Sequence, residues 1–243
     1  MSVFHCPMRK NILFDLDGTL LPMDMDVYLK LYIDGLSRQI PDIPPQEMFK
    51  VLWEGIIAMM KNDGGVTNRE AFAQVFTART GMDYYANEEK FLRFYETDYH
   101  ACAASATQAK EAARIIRVLQ EKGYHVIIAT SPLYPEIATQ ARLKWAGLED
   151  FDFPMVTTFD DFHYAKPNPK YYLEICQKLG VQPEECIMVG NDVEEDGVAA
   201  SIGMDMVLVT DCVINKKNLP AEDFHCATLG EVLAWAEDAP RCE

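Results

Sequence analysis

Two aspartates one residue apart, Asp15 and Asp17, follow directly on the apolar run Asn11-Ile12-Leu13-Phe14. Carboxylates that close repel each other unless a cation or a proton sits between them. A short apolar run of this kind reads as a fully buried strand, so the pair falls where strand gives way to loop. In open α/β sheets ligands bind at that carboxyl end. Gly18, next in the chain, lets the backbone turn sharply. Such a pair serves either a structural cation or chemistry in which a carboxylate takes part.

Three more groups of polar residues fall in comparable places. Thr130 and Ser131 follow the run Val126-Ile127-Ile128-Ala129. Lys166 opens Lys166-Pro167-Asn168-Pro169, and Asp192 and Asp196 lie in Gly190-Asn191-Asp192-Val193-Glu194-Glu195-Asp196. Each has an ordinary reading taken alone. A threonine can end a strand or cap a helix, and a lysine is usually solvated. Prolines can merely start a helix, and acids near a helix N-terminus favour its dipole. Glu194 and Glu195 fit that last description, as exposed and non-catalytic residues. What sets the others apart is a shared placement, each at one edge of the same expected sheet.

The elements that hold these residues can be read from periodicity. From about Asp24 to Tyr99 the pattern is helical, with Tyr28, Leu31, Tyr32, Leu36 and Ile40 at helical spacing. Gln46 to Lys61 forms a second helix, and Asn62-Asp63-Gly64-Gly65 a turn. Thr67 and Glu70 form a capping box for a third helix, ended at Gly81. A fourth opens at Asn87. This helical stretch reads as an insert. From Ala106 onward, helix and strand alternate. Strands are expected at Tyr124–Thr130, Phe153–Thr157, Cys186–Gly190 and Met206–Thr210. Helices are expected at Ala109–Lys122, Pro135–Ala146, from Lys166-Pro167-Asn168-Pro169 to Leu179, after Asn191-Asp192 to about Ile202, and at Thr228–Glu237. Strands alternating with helices imply an α/β fold, a parallel sheet covered on both faces. The division expected is a catalytic core of residues 1–22 and 102–243, with a helical cap of 23–101 inserted after the first strand.

Composition narrows the partners. The chain has 243 residues, 49% of them apolar, enough to fill a core, and a net charge of −16. A negative field argues against nucleic acid or an anionic membrane as partner, and an anionic substrate would need local positive charge. No signal peptide and no membrane-spanning run is read. The seven cysteines, Cys6, Cys102, Cys176, Cys186, Cys212, Cys226 and Cys242, are scattered with no CxxC pair, which suggests reduced thiols and a cytoplasmic location. Cys102, Cys176 and Cys186 sit in apolar segments and read as small core residues. The five histidines show no ligand spacing, and His163 reads as part of a surface loop. Nothing in the sequence sets the oligomeric state.

The segment Asp15-Leu16-Asp17-Gly18-Thr19 resembles the first motif of the haloacid dehalogenase-like hydrolases, Asp-x-Asp-Gly-Thr. Thr130, Lys166 and Asp192/Asp196 resemble the second to fourth motifs in order and spacing, and the helical insert stands where that family carries its type-1 cap. The resemblance covers nearly the whole chain. It implies a Rossmann-like three-layer core whose expected strands run in the order 3-2-1-4-5. It also implies a Mg²⁺-dependent phosphatase acting on a small phosphorylated metabolite, similar to phosphoglycolate phosphatases. Asp15 would be the nucleophile and Asp17 the general acid/base. Lys166 would neutralise nucleophile and phosphate. Thr130, with Ser131 beside it, would bind phosphate oxygens. Asp15, the Asp17 backbone carbonyl, Asp192 and Asp196 would form or support the Mg²⁺ site, since that cation wants oxygen ligands. Dehalogenases of the superfamily lack a carboxylate at the position of Asp17, which argues against carbon–halogen cleavage. The fourth motif departs from the common pattern, because Asn191 stands between Gly190 and Asp192. Alternatives are a sugar-phosphate mutase of the same fold, or a non-catalytic protein that only binds a phosphometabolite. Lys61, at the turn between two cap helices, reads either as a solvated lysine of an ordinary helix–helix turn or as a substrate-binding contact for the non-reacting end of an anionic substrate.

Overall fold

The computed structural model describes residues 9–242. Five parallel strands form one sheet: β1 (Asn11–Phe14), β2 (His125–Ile128), β3 (Cys186–Gly190), β4 (Asp205–Val209) and β5 (His225–Ala227), in the order β2-β1-β3-β4-β5. β1 pairs on both sides, Phe14 standing opposite Ile128 and Val189. Its side chains are buried because both faces of the sheet are covered.

Alternation along the strands sorts the core into two layers. Ile12, Phe14, Val126, Ile128, Ile187 and Val189 face α5 (Ala112–Glu121) and α8 (Leu229–Asp238). Leu13, Ile127 and Met188 face α7 (Pro169–Leu179). Each of these fully buried aliphatic or aromatic side chains contributes roughly 1.5–3 kcal/mol.

α1 (Met25–Gln39), α2 (Pro45–Met60), α3 (Asn68–Thr80) and α4 (Glu88–Glu96) gather a separate apolar cluster around Tyr32, Leu36, Phe76, Phe94 and Tyr99. The Thr67/Glu70 capping box starts α3, and Gly81 ends it in the left-handed region at φ 71°. Helical backbone runs on past Ala101, as a 3₁₀ segment Asp98–Ser105. The chain enters and leaves this cluster side by side: Asp24 N donates to Ser105 O (2.8 Å) and Thr107 N to Pro22 O (2.9 Å). α6 (Glu136–Trp145) lies at the junction, with Leu143 and Ala146 in the core cluster and Ala138 in the helical one.

Three elements differ from expectation. Phe153–Thr157 makes only a single parallel bridge, Val156 to Ile128, in the place expected of a third strand beside the second; Pro154 has no N–H to offer a ladder. The segment after Asp192 is not an α-helix but turns followed by a 3₁₀ helix, Gly197–Ile202. There the Asp192 carboxylate accepts the N–H groups of Glu194 and Glu195 (2.8 and 2.9 Å), and such bonds compete with helical ones. β5, three residues without a pattern, was not expected. Cys102, Cys176 and Cys186 are buried free thiols, and no described helix is long and apolar enough to cross a membrane.

Candidate active site

The sheet delivers Asp15 one residue beyond β1, where its N–H donates to Val189 O at 2.9 Å and continues the ladder. The backbone then folds back, with Gly18 N on Leu21 O and Leu21 N on Leu16 O, both 2.8 Å. Gly18 has φ +90°, and a Cβ there would meet the Asn191 amide at 2.5 Å. Only glycine allows both the turn and that approach. Thr19 Oγ1 lies 3.2 Å from Asp15 Oδ2 and 3.1 Å from Asn191 Oδ1. With one proton it donates to one of them at a time.

Lys166 crosses from the loop before α7 into this pocket. Its Nζ donates to Asp15 Oδ1 at 2.8 Å and to Asp196 Oδ1 at 2.6 Å, and its side chain is 1% exposed. Asp196 is held in turn, Oδ2 accepting Asp192 N at 3.0 Å. Its carboxylate lies so close over Gly190 that a Cβ there would come within 2.2 Å of Oδ2. Burial pushes the Asp15 carboxyl up to about 7, against the opposing pull of Lys166. Burial alone would lower the Lys166 ammonium, but Asp15 and then Asp196 hold it well above the usual lysine range. Two carboxylates share one ammonium, so with both ionised the cluster carries one uncompensated negative charge. A buried charge of that kind is costly unless paired.

Thr130 is buried just past β2, its carbonyl accepting Thr157 Oγ1 (2.5 Å) and Tyr171 OH (2.8 Å). Ser131 Oγ beside it is buried with no hydrogen-bond partner. A hydroxyl in that condition is a poor structural choice and a ready donor for a ligand oxygen.

The fourth motif is split. Asn191, not Asp192, has its side chain against Gly18 and Thr19, and it also donates to Cys212 O at 2.7 Å. The Asp192 carboxylate uses one oxygen to cap its own loop. Glu194 and Glu195, expected to be exposed, are half-buried. Glu194 pairs with Lys217, and burial pushes Glu195 up to about 7. His163 bonds Glu174 through Nδ1 at 2.8 Å in a groove lined also by Lys170 and Lys178.

A hard divalent cation fits these groups. The oxygen donors that meet there are the Asp15 carboxylate and the Asn191 side-chain oxygen, both within 3.2 Å of Thr19 Oγ1, with the Asp196 carboxylate held on the other side of the cluster by Lys166. Among the described residues no three or more Asp, Glu, His or Cys side chains form a metal cage. A cation here would therefore keep several waters, as Mg²⁺ does.

The sequence reading missed Arg142 altogether. This α6 residue is 1% exposed and pairs with Asp17 Oδ2. Asp17 Oδ1 is buried and has no partner. The available signal was its inward position on the helix face shared by Ala138, Thr139, Leu143 and Ala146. Asn68 was also missed. Fully buried at the start of α3, it donates through Nδ2 toward Pro132 O (3.2 Å) and Tyr164 O (3.3 Å), and accepts from Asn62 (3.0 Å). The turn around Asn62 is thus docked on the loops that carry Ser131 and Lys166. Gly64 (φ +95°) sits against Tyr164, where a Cβ would be 2.2 Å from the hydroxyl. Lys61 itself is exposed, and among the described residues it forms no ion pair.

The family description haloacid dehalogenase-like hydrolase matches residues 9–203. YhcW of Bacillus subtilis is 30% identical over 226 residues, covering 93% of this chain and 94% of that protein. SUPPRESSOR OF QUENCHING 1, a chloroplastic protein of Arabidopsis thaliana, is 25% identical over 95% of this chain, which spans only 21% of that protein's length. Among solved structures, a HAD phosphatase from Thermococcus onnurineus superposes with TM-score 0.58 at 26% identity, covering 96% of this chain and 99% of that one.

Proposed function

The chain belongs to the haloacid dehalogenase-like hydrolases, and from that premise we propose that it is a Mg²⁺-dependent phosphatase of small phosphorylated metabolites, working through a phosphoryl group carried on Asp15. The observation that carries this reading is the buried Asp15–Lys166–Asp196 cluster at the carboxyl end of the central strand. It holds a carboxylate in one orientation beside a fixed cation, as a nucleophile toward phosphorus requires.

Asp15 attacks the phosphorus of the monoester, and the bond from phosphorus to the ester oxygen breaks. Asp17 gives its proton to that departing oxygen. A water then attacks the phosphorus of the aspartyl phosphate and yields its proton to Asp17. The bond from phosphorus to Asp15 breaks, and inorganic phosphate leaves. Lys166 neutralises charge on Asp15 and on the phosphoryl oxygens, while Thr130 and Ser131 donate to those oxygens. A bound Mg²⁺, held by Asp15, the Asp17 carbonyl and the Asn191–Asp192 segment, with Asp196 supporting from behind Lys166, would offset the like-charge repulsion between carboxylate and phosphate dianion.

Residues 23–101 act in this reading as a cap, joined to the core through the paired backbone at Pro22–Asp24 and Ser105–Thr107. The compartment in this reading is the cytoplasm, consistent with the free described cysteines. The experiment is phosphate release from a panel of phosphorylated metabolites, with and without EDTA. Metal-dependent release supports the reading. A protein that binds members of the panel but releases phosphate from none overturns it.

A further inference from the structure

Among the described residues Arg142 is the largest of the side chains that the fold buries to 1% exposure or less. An arginine on an amphipathic helix normally lays its stem on apolar surface and keeps its head in water. It cannot shed its charge to escape burial. Its partners therefore show what the guanidinium is held for. One amino group pairs with Asp17 Oδ2. The other donates to Thr139 Oγ1 at 3.0 Å, and Nε reaches toward Ala138 O at 3.4 Å. The Tyr134 ring lies against it, 4.5 Å from centroid to guanidinium carbon. Tyr134 in turn meets Tyr28 edge-on, and Tyr28 bonds Tyr99 hydroxyl to hydroxyl at 2.9 Å. The guanidinium is thus fixed in plane by its own helix and in tilt by a stack of rings reaching into the cap.

A carboxylate bound to so rigid a group has one oxygen committed and one left over. In Asp17 the oxygen left over, Oδ1, is buried and meets no protein donor. A desolvated carboxylate oxygen without a partner is unfavourable as pure structure, and it is what a proton-transferring group requires if the partner is to be the substrate.

We propose that Arg142 is the positioning residue of Asp17, anchoring Oδ2 so that Oδ1 faces the oxygen that leaves phosphorus. The role rests on the reading of Asp17 as acid/base. It predicts a particular selectivity. Misplacing Asp17 harms the departure of an alkoxide, which needs a proton, and spares the departure of p-nitrophenolate, which leaves without one. Attack by Asp15 does not depend on Arg142. An arginine that only filled space and balanced charge would, on removal, lower stability and affect both substrates alike.

The test compares kcat/KM for an alkyl phosphate and for p-nitrophenyl phosphate in wild type, Arg142→Met, Asp17→Asn, the double variant and Thr139→Val. For Arg142→Met the alkyl phosphate should fall by about 10- to 100-fold, the order seen when a reacting group is displaced by an ångström, and p-nitrophenyl phosphate by less than about 3-fold, the proton not being needed there. In the Asp17→Asn background, adding Arg142→Met should cost the alkyl phosphate nothing further, because the group it positions is gone. Thr139→Val keeps volume but removes the hydroxyl that anchors the guanidinium. It should show the same selectivity at several-fold, and it carries the test if Arg142→Met does not fold. Equal losses for the two substrates, or additive losses in the double variant, overturn the role of Arg142 while leaving the phosphatase reading intact. An Asp17→Asn variant as active as wild type on the alkyl phosphate overturns the acid/base assignment itself.

Discussion

Replacing Lys166 by methionine removes the single cation between Asp15 and Asp196 and keeps most of the volume. Asp15 Oδ1 and Asp196 Oδ1 then lose bonds of 2.8 and 2.6 Å, and two carboxylates face each other with burial on every side. Breaking a buried pair by removing one partner costs about 3–5 kcal/mol, chiefly because the other charge is stranded. Here two are stranded, so the upper end is expected at pH 8. The sign with pH follows from the carboxyls. Asp15 already has its pKa raised from 3.8 to about 7 by burial, and loss of Lys166, which lowers it, raises it further. A carboxyl raised in the folded state adds stability that is present at low pH and lost as pH rises through the folded value. The deficit of Lys166→Met should therefore be largest above pH 7 and shrink toward pH 5, where Asp15 takes up a proton. Urea unfolding at pH 5, 6, 7 and 8, followed by tryptophan fluorescence, measures it. Phosphate release should be lost at all of these pH values. A deficit below about 1 kcal/mol at pH 8, or one that grows on acidification, would mean that the cluster does not carry the charges assigned to it.

Three other substitutions probe separate parts of the structure. Gly190→Ala places a methyl 2.2 Å from Asp196 Oδ2. It should cost roughly 1–3 kcal/mol, as overpacking does, and should lower kcat by pushing Asp196 off Lys166; unchanged kcat would show that Asp196 has no part in holding the lysine. Asn68→Asp keeps the shape but sets a carboxylate against the carbonyls of Pro132 and Tyr164. A drop in kcat beyond the fraction unfolded is expected, and thermal denaturation measured beside kcat separates the two effects. Lys61→Ala should reduce kcat/KM for an anionic metabolite by no more than about 5-fold, the scale of an exposed ion pair, and leave p-nitrophenyl phosphate unchanged; equal ratios for both substrates would remove Lys61 from substrate recognition.

Which features could be read from the sequence follows from how local their physics is. Asp15 and Thr130 stand out because each follows an apolar strand within a residue or two, and strand ends at one sheet edge converge by topology. The α3 capping box and the Gly81 stop are likewise written within a few residues. Arg142 is the opposite case. A charged residue in a helix reads as solvated, and its partner Asp17 lies 125 positions away. Asn68 reads as a helix-start residue until the two carbonyls it bridges are in place. The split between Asn191 and Asp192 is invisible for another reason. One extra residue after Gly190 leaves two alignments possible, and only the packing of Asn191 on Gly18 shows which side chain meets the first motif. Phe153–Thr157 has strand composition, but Pro154 keeps it from forming a ladder.

The central claim is that the phosphoryl group passes through Asp15, and acid quench during turnover tests it directly. Enzyme mixed with excess substrate and Mg²⁺ is stopped within the first turnovers, digested at low pH and measured by mass spectrometry. The account predicts the mass of one phosphoryl group on the peptide containing Asp15, localised to that residue, absent after EDTA and absent in Asp15→Asn, which releases no phosphate. Steady phosphate release with no label on Asp15, or an Asp15→Asn variant that keeps more than about a tenth of wild-type activity where loss of a nucleophile costs orders of magnitude, would contradict it.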